Sequence, residues 1–143
     1  MLAATTLGAV SAAQGVCFTK ADNDAKAAIL FQTKLMVASS SCHDLTYARF
    51  RLRNRLQIIR YQNQMIAHFR RGGARLPAQR FESWITELAN EDAGKVAGLT
   101  IPQVCEKAAG LFTLAKSLDA KGYRLYAAAE AKKDPSDDRR CGR

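Results

Sequence analysis

Between His43 and Arg80 this chain has no lysine and only one acid, Asp44, set against nine arginines. Its other absences are as informative. Its two histidines form neither an H-x-x-x-H nor an H-E-x-x-H spacing, which excludes the common helical zinc motifs. The four cysteines, Cys17, Cys42, Cys105 and Cys141, contain no C-x-x-C pair, so a zinc ribbon or thioredoxin-like redox site is excluded as well. No apolar run approaches the roughly 20 residues that a membrane-spanning helix needs. No pair of carboxylates shares an apolar face, and Gly72-Gly73 follows a helix rather than a strand, which removes phosphate-loop geometry. Nothing that remains specifies a reaction. A non-enzymatic protein without metal or cofactor is the expectation.

What is present describes one globular domain. A length of 143 residues suffices for a real core, and 48% apolar with 24% charged residues is ordinary for a folded chain. The net charge of +9 is uneven, because the basic residues outside the arginine-rich stretch are mostly lysines mixed with acids. A local arginine excess suits a phosphate, a polysaccharide or an acidic protein partner. The alternative is that arginine stems cover apolar surface while their heads reach water or internal acids.

An even number of scattered cysteines suits disulfides, and hence an oxidising compartment. Residues 1–13 are small, apolar and uncharged, and Val10-Ser11-Ala12 or Ser11-Ala12-Ala13 fits a small-x-small cleavage site. The expected organisation is a signal-peptide-like segment over 1–13, a helical domain over 14–133, and a polar tail over 134–143 tied down by Cys141. The expected location is periplasmic or secreted.

Four helices are expected. Asp22-Asn23-Asp24 offers N-caps for a first helix to about Ala38, apolar around much of its circumference and therefore buried, with Ser39-Ser40-Ser41 as its breaker. His43 to Arg71 contains no proline or glycine and reads as one long central helix, stopped by Gly72-Gly73. Projected at 100° per residue it carries two apolar stripes, Leu45, Leu52, Leu56, Ile59 and Ile66 on one side and Tyr47, Phe50, Ile58, Tyr61, Met65 and Phe69 on the other. Arg49, Arg53 and Arg60 fill one seam, Arg51 and Arg55 the other. An ordinary surface helix needs one stripe. Pro77 opens a third helix to about Asp92 with Phe81, Trp84, Ile85 and Leu88 inward. Folding it back would set Glu87, Glu91 and Asp92 level with Arg55 to Arg60. Thr100 caps the fourth, with Gln103 as capping-box partner and a seam of Val104, Ala108, Leu111, Ala115, Leu118, Gly122, Leu125 and Ala129. Gly122 is a candidate kink.

Short links make neighbouring helices antiparallel, giving an all-α, up-down four-helix bundle. Cys42 and Cys105 then share one end, Cys17 and Cys141 the other. That selects Cys42–Cys105 and Cys17–Cys141 from three connectivities. A Cys17–Cys42 bridge would have to span a helix of about 25 Å, where a disulfide needs Cα atoms within about 7 Å.

The run Phe31-Gln32-Thr33-Lys34-Leu35-Met36-Val37-Ala38 with Cys42 downstream resembles a group of small exported alphaproteobacterial proteins. That group carries a Q-T-x-L-M-V-A…C signature on its first helix and a distal second cysteine. The resemblance covers residues 28–110. It implies periplasmic export, a helical fold and a Cys42–Cys105-type bridge, and it implies no activity.

The functional expectation is a binding or accessory module that docks through the two-sided central helix. Arg49, Arg51, Arg53, Arg55, Arg60, Phe50, Tyr61 and Phe69 are the candidate partner-binding residues. The partner would be a larger periplasmic or envelope protein, or a second copy of the chain. The alternative is an anion binder for nucleic acid or envelope polysaccharide, since arginines interleaved with aromatics resemble a single-strand platform. A Cys42–His43–Cys105 metal site is disfavoured because adjacent residues at a helix start point apart. His68 reads as a partly exposed histidine favourable to the helix dipole.

Overall fold

A computed structural model describes residues 16–133 and 140–141. The described residues are 81% helical, with six helices and no strand. These are α1 (Lys20–Cys42), α2 (Thr46–Arg53), α3 (Arg55–Arg71), α4 (Pro77–Lys95), α5 (Ile101–Ser117) and α6 (Ala120–Lys132). The expected segment over 1–13 lies outside the described residues, as does most of the 134–143 tail.

The axis of the fold is α1, which touches all five other helices. It starts earlier than expected, because Thr19 rather than Asp22 is the N-cap. The Thr19 hydroxyl accepts from the Asp22 amide at 3.0 Å, and the Asp22 carboxylate accepts from the Thr19 amide at 2.9 Å. It also ends later. The serine run does not break it, since Ser39 is buried against the start of α2 and its hydroxyl accepts from the Tyr47 amide at 3.3 Å. Packing overrides the weak helix preference of serine. His43 closes the helix in the left-handed conformation at φ 51°. Cys42 is thus the last residue of α1, where the sequence had suggested the start of the next helix.

The stretch 43–71 is not one helix. Asp44 accepts from the Thr46 amide at 2.6 Å, and α2 begins there. At Asn54 the backbone leaves the helical region (φ −108°, ψ 19°), and α3 starts afresh. The expected fourth helix is also cut, at Leu118-Asp119, four residues before Gly122. Asp119 caps α6 by accepting from the Gly122 amide at 2.7 Å. The two interruptions are bolted together. The buried Asn54 amide donates to Phe50 O and Leu118 O, each at 3.2 Å. Arg53 donates to Leu118 O at 3.2 Å and to Ala115 O at 2.8 Å, the latter also accepting from the Leu118 amide at 3.3 Å. The break resets the helical phase. Val104, Ala108, Ala115 and Leu118 are buried as expected, but Leu125 and Ala129 face outward and Tyr123, Ala127 and Ala131 take the core positions.

The core is aromatic at its centre. Phe31, Phe50 and Tyr61 surround Tyr123 and Tyr126 meets Phe31, with edge-on ring contacts between 4.9 and 5.4 Å for the closest pairs. Tyr123 is fully buried, and its hydroxyl donates to Ala28 O at 2.7 Å. Burial pushes its ionisation well above the ordinary tyrosine range, so it stays a neutral donor. Tyr123→Phe is expected to cost about 1 kcal/mol, because Ala28 O sits inside α1 and keeps a helical partner; urea unfolding checks it.

Two disulfides staple the molecule, Cys17–Cys141 and Cys42–Cys105, with Cα separations of 5.1 and 5.7 Å. The first is reinforced by a bridge in which the Cys141 amide donates to Phe18 O at 2.8 Å. Among the described residues no cysteine is free and no helix is long and apolar enough to cross a membrane.

Candidate docking face and the Asp22 cluster

The two stripes of the 43–71 stretch have opposite fates. Phe50, Ile58, Tyr61 and Met65 enter the core, and Phe69 is half-buried against Trp84. Phe50 and Tyr61 are held inside the domain, so they do not form the outward face that their interleaving with arginines suggested, and Phe69 lies on the side away from the exposed stripe, bordering a separate cleft. Most of the other stripe is uncovered among the described residues. Leu52 is 78% exposed, Leu56 74%, Leu45 61% and Ile59 40%, while Ile66 turns inward against the core. Leu52 and Ile59 border a groove of about 590 Å³ together with Ala48, Arg51, Arg55, Ile58 and Gln62.

The arginines divide by role. Arg49, Arg51, Arg55 and Arg60 are exposed beside the apolar ridge. Arg53 is committed to the end of α5, which makes it a structural residue. Among the described residues, no ion pair joins Arg55 or Arg60 to Glu87, Glu91 or Asp92. Glu87 instead lies 3.7 Å from Arg80 on its own helix. Neither α2 nor α3 contains an acid. The face is therefore apolar along its crest and cationic along both flanks.

A second cluster lies on α3 but on a different side. Asp22, capping the start of α1, is fully buried. Its carboxylate accepts from Gln64 Nε2 at 2.8 Å and from Arg71, and lies 3.2 Å from His68 Nδ1. Burial works against its ionisation, yet the hydrogen bonds from Gln64, Thr19, Arg71 and His68 outweigh it and hold the carboxyl below the usual range. His68 is 6% exposed, contrary to the expectation of a partly exposed side chain. Burial lowers its basicity more than Asp22 raises it. The neutral ring must then carry its proton on Nδ1, facing Asp22. Phe18 stacks on the other side of the ring, with centroids 4.1 Å apart.

His68 also borders a cleft of about 580 Å³ between the start of α1, the end of α3 and the first turns of α4. Sequence reasoning passed over Asp22, Gln64, Arg71, Arg80 and Trp84 as site residues. A signal for part of the set was present: Gln64, His68 and Arg71 recur at i, i+4 and i+7 and so share one helix face. Their acidic partner lies 42 to 49 residues away and has no local signature.

Among the described residues, no group of three or more histidine, cysteine or acidic side chains is placed to hold a metal ion. Comparison with protein-family models, with curated proteins and with solved structures found no match.

Proposed function

We propose that this chain is a non-enzymatic binding module of the periplasm. It docks a larger envelope protein on the ridge formed by Leu52, Leu56 and Ile59. The observation that carries this reading is the exposure of three large aliphatic side chains on helices whose opposite side is already buried. Such residues, contiguous and unpaired, mark interaction sites more often than scattered exposed leucines do. The flanking Arg49, Arg51, Arg55 and Arg60 favour a partner with an apolar centre and an acidic rim. Two copies meeting through this face would set arginine against arginine, which disfavours self-association by this route. The disulfides and the resemblance to small exported helical proteins support an oxidising compartment. On this reading α2–α3 and α5–α6 are each one interrupted column of an up-down four-helix plan.

The second reading, an anion binder for nucleic acid or envelope polysaccharide, is favoured by the same arginines. The two differ in what the leucines contribute. A photo-crosslinking residue at position 52 or 56 is expected to trap one discrete envelope protein, and the same residue at position 125 is expected to trap none. Leu56→Asp is expected to weaken that complex by roughly 30-fold or more, as for a central interface residue. Binding that survives Leu56→Asp but collapses with added salt would replace this reading with the anion-binding one.

A further inference from the structure

We propose that the cleft beside His68 is a binding site for a small aromatic carboxylate, separate from the docking ridge. Its volume of about 580 Å³ falls within the range of small-molecule sites. Phe69 and Trp84 form an apolar wall, their rings 5.8 Å apart and edge-on, and Met65 lies beside them. A planar ring can enter such a wall without displacing polar groups from water.

Two cations stand at that wall. Arg80 sits over the Phe69 ring at 5.0 Å, and Lys26 sits over the Phe18 ring at 5.3 Å on the facing side. No carboxylate borders the cleft among the described residues. Asp22 is turned onto Gln64, Thr19 and Arg71, and Glu87 lies 3.7 Å from Arg80 at an exposed position on α4, a weak surface pair that a ligand carboxylate would displace. Arg80 presents a planar fork that matches a carboxylate. A phosphate is a poorer match. The backbone bordering the cleft at Gly72 belongs to the C-terminal end of α3, where the helix dipole disfavours dense negative charge. One delocalised charge on an aromatic body fits these walls better.

Trp84 is the single tryptophan of the chain, so its indole N–H gives one resolved cross-peak in a proton–nitrogen NMR spectrum. Titrating the oxidised full chain with 1-naphthoate is expected to move that peak saturably at sub-millimolar to millimolar concentration. Arg80→Ala should weaken the affinity about tenfold or more, Arg80→Lys should recover part of it, and the neutral 1-naphthamide should bind about tenfold more weakly than the acid. Leu56→Asp should leave naphthoate binding unchanged, which separates this site from the docking ridge. An indole peak that does not move, an amide that binds as tightly as the acid, or naphthoate affinity indifferent to Arg80→Ala would each overturn the proposal.

Discussion

Asp22→Ala is expected to destabilise the oxidised protein by about 3 kcal/mol, the lower end of what is lost when one member of a buried ionic cluster is removed. The carboxylate joins the start of α1 to the far end of α3. It caps α1 through the Thr19 amide, and it receives Gln64, His68 and Arg71 from the far end of α3. Deleting it leaves the Gln64 amide and the His68 Nδ1–H without their acceptor. The figure stays at the lower end because the Arg71 side chain is 38% exposed and can turn to water. Asp22→Asn, which keeps the shape but loses the charge, should fall between. Urea unfolding of the three proteins decides it, and a loss below about 1 kcal/mol for the alanine variant would show that the cluster is not a fastening.

The same cluster sets the acid response. The folded state holds both His68 and Asp22 less basic than they are in an unfolded chain. Each group therefore binds more protons when unfolded over the interval between its two pKa values, so stability rises with pH there and falls on acidification. His68 acts first, as pH drops below the ordinary histidine value of about 6.5, and Asp22 follows below the ordinary carboxylate value of about 3.9. Melting temperature against pH should be level from 8 to 7 and decline below about 6.5. His68→Gln should remove the first part of that decline and leave the second.

The larger loss is expected from removing a disulfide. Cys42 and Cys105 are separated by 63 residues, Cys17 and Cys141 by 124. On the chain-entropy model, the paired substitution Cys42→Ser with Cys105→Ser should cost about 4 kcal/mol, and opening the longer loop about 5. Opening Cys42–Cys105 frees the end of α1 from the first turn of α5, which places the damage in the element that every other helix touches. Equilibrium unfolding of each double variant, with the oxidised protein as reference, gives both values. A cost near zero for either pair would mean that the bridge merely decorates an already stable core.

Much of this architecture was legible in residue order. The N-cap and capping box at Thr100, Pro77 at the start of α4 and the stop at Gly72-Gly73 are local signals, each read within one helical turn, and the structure holds them all. The disulfide pairing was legible too, and the structure holds both of the expected bridges. The interruptions at Asn54 and Leu118-Asp119 were not. Neither involves proline or glycine, and each exists because groups 62 to 65 residues apart bond to one another across the break. Ser39 was misread for the same reason, its buried hydroxyl being satisfied from the next helix.

The sequence by itself determined that the chain is helical, that Cys42 pairs with Cys105 and Cys17 with Cys141, and that the 43–71 stretch has one apolar stripe more than a surface helix uses. Helical period, capping chemistry and loop length act over a few residues, so they can be read in order. Only the tertiary structure decided which stripe is buried, which arginine is structural and which are exposed, and that His68 sits on a buried aspartate. Those outcomes depend on which groups the fold brings together from distant parts of the chain, and for His68 and Asp22 the cost of leaving buried polar groups unpaired is what holds them together.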